Sequence, residues 1–321
     1  EPPKDILDEY GLVKVSAMDQ KDPWEARSTT AIALKELCSS FEAYDGSVVE
    51  FIHFLIDSGA LGDKEELVRQ EMKEAGIEVV DYYGSKYLKE LMPIFESFLS
   101  TSNDVVMKEN VVILYGSLAR HLEPNNPRIR TIAERLLTSL QTPSEDLQKS
   151  ISKCLAALVP LFKDSIQEYI DSSFQVLYDS KAPVQIRRGA AWGIAGLVKG
   201  YGIAALSEFD VIRYLIEGCE DKKDPRRRES VAYGFECLSI SLGKFFEPYV
   251  IEVLPNILKN LGDSVPEVRE ATAQAAKAIM SSTTSFGVKK LIPVAVSNLD
   301  DISWRTKRGS VELLGNMAYL D

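Results

Sequence analysis

The chain has 321 residues, 45% hydrophobic and 26% charged, with 37 Lys and Arg against 48 Asp and Glu and a formal net charge of −11. That balance excludes a disordered chain and supplies the apolar surface for a sizeable core. The acidic excess also excludes generic nucleic-acid binding over the whole surface, because such affinity comes from neutralising phosphates; any polyanion contact has to be local.

Residues 1–21 open with Glu1-Pro2-Pro3-Lys4-Asp5, without the basic start and apolar stretch of a secretory signal, and no apolar run reaches the roughly 20 residues of a membrane helix. An intracellular protein without membrane contact is expected. Ile6, Leu7, Tyr10, Leu12 and Val13 suit a packed helix, so 1–21 reads as the end of a preceding repeat or a linker.

From residue 22 the chain repeats. Lys-Asp-Pro-Arg-Arg-Arg-Glu ending at Glu229 aligns with the segment ending Pro-Glu-Val-Arg-Glu at Glu270, so that Pro225 meets Pro266 and Arg228 meets Arg269, an offset of 41. Extended both ways, the register runs Arg27, Arg69, Lys108, Gln148, Arg187, Arg228, Arg269, Lys307, with spacings of 42, 39, 40, 39, 41, 41 and 38. Ten residues after each stands an aliphatic column of Leu37, Val79, Leu118, Leu158, Leu197, Leu238, Ile279 and Met317. Seven after stand Leu34, Gly76, Tyr115, Leu155, Ile194, Phe235, Ala276 and Leu314. This is helical spacing on one face. It predicts second helices near 22–40, 64–83, 104–121, 144–160, 184–201, 225–242, 266–281 and 303–319.

Upstream of the register positions run further amphipathic stretches: Tyr87 to Leu99, Arg130 to Leu140, Tyr169 to Leu177, Val211 to Cys219, Val250 to Leu261 and Lys290 to Leu299. Pro93, Pro255 and Pro293 fall inside these first helices, where proline bends the backbone. Helix, polar turn with Asp and Pro, and a basic residue opening the second helix, at a period of about forty, is the HEAT pattern. The expected fold is all-α, a right-handed α-solenoid of HEAT-type helical hairpins over 22–321, about eight repeats, uncapped at both ends as in a fragment of a longer stack.

Cys38, Cys154, Cys219 and Cys237 lack any C-x-x-C pairing, and the histidines, His53 and His121, lie in different repeats. The cysteines read as small buried apolar residues, with no metal site and no cofactor expected. Gly193, Gly196, Gly200 and Gly202 resemble a phosphate loop, but no strand precedes them and no Gly-Lys-Ser/Thr follows. They read as small residues at a close helix approach. No nucleophile–base or paired-carboxylate constellation is recognisable, so the chain reads as a binding scaffold and not as an enzyme.

The departure from the acidic average is Lys222, Lys223, Arg226, Arg227 and Arg228. Stacking places Arg187, Arg188, Arg269, Arg305, Lys307 and Arg308 along the same edge. Arg187, Arg228, Arg269 and Lys307 are assigned to a structural ladder with turn aspartates such as Asp221 and Asp263. Lys222, Lys223, Arg226, Arg227, Arg305 and Arg308 remain as a candidate contact for a polyanion or an acidic partner. Phe245, Phe246 and Tyr249, which follow one turn closely, read either as exposed aromatics that add to this contact or, the preferred reading, as core packing.

The strings Arg188 to Gly202, Asp221 to Glu229, Leu242 to Val250 and Ser303 to Tyr319 resemble the middle region of the large general-control translational activators, densely from about 181 onward and more loosely over 22–180. Ser303 to Tyr319 also resembles the opening of the HEAT domain of fungal elongation factor three. The resemblance implies a cytoplasmic scaffold on translating or collided ribosomes that engages an ABC-type partner protein. It also implies a role in activating the amino-acid-starvation kinase that phosphorylates initiation factor two, with kinase contact made by a segment outside this stretch. A transport-receptor or phosphatase scaffold, a protein-only adaptor, would share the columns but not these strings.

Overall fold

The computed structural model describes residues 22–43, 46–300 and 304–317. The expected packed helix in 1–21 lies outside them. Among the described residues all regular structure is helical, and the contacts form two compact units, Glu1–Ile94 and Phe95–Asp321.

The first unit contains α1 (Trp24–Glu36), α2 (Ser47–Asp57) and α3 (Glu66–Tyr83). Helix α2 buries Val48, Phe51, Ile52, Leu55 and Ile56, the i, i+3, i+4, i+7, i+8 stripe of a helix with one covered face. Each such aliphatic side chain contributes roughly 1.5–3 kcal/mol on burial. The helix ends at Gly59, whose φ of 73° is a left-handed conformation that a side chain would strain. Tyr83 at the end of α3 donates its hydroxyl to the Cys38 carbonyl at 2.8 Å, tying α3 to the turn after α1.

Helix α4 (Leu88–Thr101) carries the unit division between Ile94 and Phe95. Beyond it the second unit alternates α5 (Val105–Ala119), α6 (Pro127–Ser139), α7 (Glu145–Leu158), α8 (Ile166–Leu177), α9 (Val184–Tyr201) and α10 (Val211–Cys219). It continues through α11 (Pro225–Leu242), α12 (Glu247–Leu261), α13 (Pro266–Ser282), α14 (Ser285–Ser297) and α15 (Trp304–Met317). Local chemistry sets the starts. Asp104, Asn126, Ser144, Asp224 and Thr284 each accept a backbone N–H from the first turn that follows, and Pro127, Pro225 and Pro266 occupy first-turn positions where no N–H is needed. Pro93, Pro255 and Pro293 lie within α4, α12 and α14.

Second helices stack on one another: α9 packs on α7 and α11, and α11 on α13, while first helices lie alongside. This is the layout of an α-solenoid. The middles of α5, α9 and α11 are consequently buried on every side, as at Val111–Ala119 and Gly189–Val198, where one apolar face was expected. The aliphatic column holds at Val79, Leu118, Leu158, Leu197, Leu238 and Ile279, all at most 2% exposed. It fails at Leu37, which is 55% exposed because α1 ends at Glu36 and a tight 3-10 turn redirects the chain.

The glycines of α9 make a close approach. A Cβ on Gly189 would overlap the Leu140 carbonyl, on Gly196 the Ser152 carbonyl and on Gly200 the Ala156 carbonyl. Ser152 donates its hydroxyl to the Trp192 carbonyl at 2.8 Å across the same contact. All four cysteines are buried thiols, and burial pushes the Cys38 thiol up to about 11 and the Cys219 thiol up to about 12.

Candidate partner-binding edge

The turns between first and second helices form one edge of each unit, and the register residue builds it. Its side chain reaches back to its own turn and forward to the next. Arg27 donates to Asp22 at 2.6 Å and to Asp63 at 2.7 and 3.0 Å. Arg228 donates to the Asp221 carbonyl at 2.7 Å and to both carboxylate oxygens of Asp263 at 2.8 and 3.1 Å. Arg187 differs from the expected ladder in its acid. Fully buried, it reaches the Ala182 and Arg226 carbonyls, the Ser230 hydroxyl and, at 2.9 Å, Glu229 rather than a turn aspartate.

Among the described residues Arg269 donates to backbone, the carbonyls of Asp263 and Ser264. Lys307 is exposed. Gln148 shows what the position requires, since its amide donates to the carbonyls of Leu140, Thr142 and Gln185, bridging two turns without any charge. A side chain with several N–H donors is needed there, and arginine is the type with most.

The surplus basic residues separate. Lys222 and Lys223 are exposed on the turn before α11. Arg226 is exposed too and donates across to the Ser180 carbonyl. Arg227 differs from its assignment as a free contact: it pairs with Asp221 at 3.3 Å and lies 4.5 Å from the Tyr178 ring centroid, so its charge is engaged inside the fold. That neighbourhood is apolar enough that burial pushes the Tyr178 hydroxyl far above its ordinary range, while that hydroxyl donates to the Tyr214 carbonyl at 2.6 Å. Asp221 also caps the turn, accepting the N–H groups of Lys223 at 2.8 Å and Asp224 at 3.0 Å, and these bonds hold its carboxyl below its usual range. Arg308 is exposed on α15, and Arg305 lies in its first turn with its side chain outside the described residues.

Beside this turn opens a cleft of about 580 Å³, lined by Lys181, Pro183, Arg187, Arg226, Glu229 and Glu267 among others. Its floor is the neutralised Arg187–Glu229 pair, with the Glu229 carboxylate also accepting the Tyr233 hydroxyl at 2.6 Å. Lys181 and Arg226 on the rim, with Lys222 and Lys223 on the same turn as Arg226, leave the local charge positive. Among the described residues no cluster of His, Cys, Asp and Glu is placed to hold a metal, and no helix is long and apolar enough to cross a membrane. The arrangement offers exposed charge beside a cleft and turns rich in backbone carbonyls.

Two family models match the chain: that of the EF3 N-terminal HEAT repeat over residues 187–321, and that of the HEAT repeats of the stalled ribosome sensor GCN1 over residues 1–120. Over 320 residues the chain is 63% identical to the eIF-2-alpha kinase activator GCN1 of Saccharomyces cerevisiae, covering 100% of this chain and 12% of that protein. It is 40% identical over 321 residues to the stalled ribosome sensor GCN1 of Homo sapiens, covering 99% of this chain and again 12% of the relative. Elongation factor 3 of Gonapodya prolifera is 29% identical over 134 residues, 41% of this chain and 12% of that protein. The chain thus spans about an eighth of the length of these relatives, and it belongs to the GCN1 family as a segment of its HEAT-repeat scaffold.

Proposed function

We propose that this segment is a non-catalytic scaffold of the cytoplasm that contacts the ribosome through the turn edge around Lys222, Lys223 and Arg226 and so serves activation of the starvation kinase that phosphorylates initiation factor two. The observation that carries it is the exposure of these three cations together, beside the cleft rimmed by Lys181, on a chain whose net charge is −11. Clustered positive charge on an acidic background gives a local polyanion contact rather than a general one. The relatives named for ribosome sensing and kinase activation support the reading. An ABC-type partner belongs to the same proposal, and direct contact with the kinase is assigned to a segment outside this chain.

Arg305 and Arg308 are proposed to extend the contact along α15. Arg227 is left out, because its pairing with Asp221 makes it part of the turn. The test is sedimentation of the chain with purified ribosomes across a salt series, beside a variant carrying Lys222→Glu, Lys223→Glu, Arg226→Glu, Arg305→Glu and Arg308→Glu with its helicity checked by circular dichroism. Salt-sensitive binding that is lost in the folded variant supports the edge. Equal pelleting of both proteins overturns the edge and moves the ribosome contact elsewhere on the chain, and pelleting of neither leaves a protein-only adaptor.

A further inference from the structure

The opposite edge and the outer face of the second unit carry a different chemistry. On α12 and α14 and the turns that open them, large apolar side chains stand in solvent: Phe245 and Phe286 at 66% exposure, Val296 at 47%, Ile292 at 39% and Ile251 at 37%. The two helices pack together, and the Glu247 carboxylate accepts the N–H and hydroxyl of Thr284 at 2.8 Å each, so their openings are joined. The exposed positions repeat at the offset of the register: Phe245 with Phe286, Ile251 with Ile292, Pro255 with Val296. Phe245 and Ile251 remain exposed although a following hairpin, α14 and α15, is already in place beside them. Their exposure therefore belongs to the outer face and is no consequence of a missing neighbour.

The patch is local. The outer face of α10, one hairpin earlier, carries Asp210, Arg213 and Glu217 in mutual ion pairs at 2.8 and 3.3 Å, a solvated polar surface. On α12, α14 and their flanking turns Lys244, Lys259, Lys289 and Lys290 are exposed against Glu252 and Asp300, while the Glu247 carboxylate is taken up by Thr284, which leaves a basic excess. The Lys244 ammonium lies 5.8 Å from the Phe245 ring and that of Lys290 lies 5.2 Å from the Phe286 ring. Pro255 and Pro293 have no N–H to give to the carbonyls of Ile251 and Lys289, four residues earlier, and both of those residues are on the exposed face.

An apolar strip rimmed by lysines is complementary to one kind of ligand. We infer that the outer face of α12 and α14 docks an acidic amphipathic helix of a partner protein, its aliphatic side against Phe245, Ile251, Phe286 and Val296 and its carboxylates against Lys244, Lys289 and Lys290. The Phe245 and Phe286 end of this surface lies beyond the C-terminal end of α11, about 24 Å of helix from Arg226 at 1.5 Å per residue, so the two readings are tested separately.

The test is fluorescence anisotropy with a labelled synthetic 18-residue helix that has Leu at i, i+3, i+4 and i+7 spacing and Glu elsewhere. A scrambled isomer, a Lys-for-Glu counterpart and a uridine 15-mer RNA serve as the other probes. The whole chain is compared with Phe245→Ser/Phe286→Ser and with Lys289→Glu/Lys290→Glu, all four positions being exposed so that the fold tolerates the changes. Binding of the acidic helix alone, weakened at least tenfold by each pair of substitutions, supports the docking surface. Equal binding of the scrambled isomer, or affinity unchanged by both pairs, overturns it. RNA binding that disappears with the phenylalanines makes the face a base-stacking platform instead. A dimer in sedimentation velocity that the same substitutions dissolve gives the face to a second copy. Either result replaces the proposal.

Discussion

Gln148 stands where seven other repeats have arginine or lysine, and its three carbonyl acceptors show that the position works by donating hydrogen bonds across two turns. Charge adds cost as well as strength when the site is buried. Arg187 and Glu229 have side chains only 3% and 11% exposed, so each is tolerable because of the other. Arg187→Ala strands the Glu229 carboxylate and is expected to cost about 3–5 kcal/mol in urea unfolding. Arg187→Ala/Glu229→Gln should recover part of that loss, because no buried charge is left unpaired. A double variant no more stable than the single one would show that packing of the guanidinium, and not the charge, is what matters. The basic register was legible in the sequence at Arg27, Arg187 and Arg228. The exchange of Asp for Glu229 was not, because Glu229 lies one residue past the next register position and only stacking brings it under Arg187. Arg227 was misassigned for a similar reason: Tyr178, from the preceding hairpin, supplies the face that holds it.

At the scale of a helix, the column ten residues past each register position was readable because an α-helix repeats every 3.6 residues, and the buried residues of α3, α5, α7, α9, α11 and α13 follow it. What it could not convey is how many sides are covered, which depends on neighbours 40 residues away. Phe245 and Phe246 make the point: adjacent aromatics at one turn, one 66% and the other 1% exposed. The glycines of α9 are where helix meets helix most closely, and Gly196→Ala should destabilise by at least about 2 kcal/mol, since the new methyl meets the Ser152 carbonyl, which cannot move without shifting α7. Gly202→Ala is the control, with open space around the Cβ and a loss due to its positive φ alone. Acid response is also set at this scale. Asp63 is held below its usual range by the Arg27 guanidinium and Asp221 by backbone N–H groups, so their stabilisation is complete above the unfolded carboxylate range and is lost as pH falls below about 4. Burial pushes the Glu109 and Glu236 carboxyls up, which penalises the folded state at neutral pH and is relieved as pH falls through their raised values. The urea midpoint should therefore rise from pH 7 toward pH 5 and fall below pH 4, with Glu236→Gln flattening the first limb and Asp63→Asn the second.

In a stack of hairpins each repeat rests on its neighbours and on nothing further along the chain, so stability is a sum of local terms. The two compact units and the sequential packing of α7, α9, α11 and α13 are the structural basis for expecting this here. Denaturation of the chain should then depart from a single all-or-none transition, because long arrays lose cooperativity with length. Arg228 gives a way to read it. Its side chain spans the turns before α11 and α13, holding Asp221 and Asp263 with both groups nearly buried. Arg228→Ala should lower amide-exchange protection most in α11 and α13, less in α9, and leave α2 and α3 unchanged. A uniform loss of protection across all helices would instead mean that the chain opens as one cooperative body, and that a partner bound at one hairpin stabilises every other. Graded loss has the opposite consequence for a scaffold. Each hairpin then presents its surface almost regardless of distant ones, so occupancy of the turn edge near Lys222 leaves the hairpins of the first unit free to act on their own.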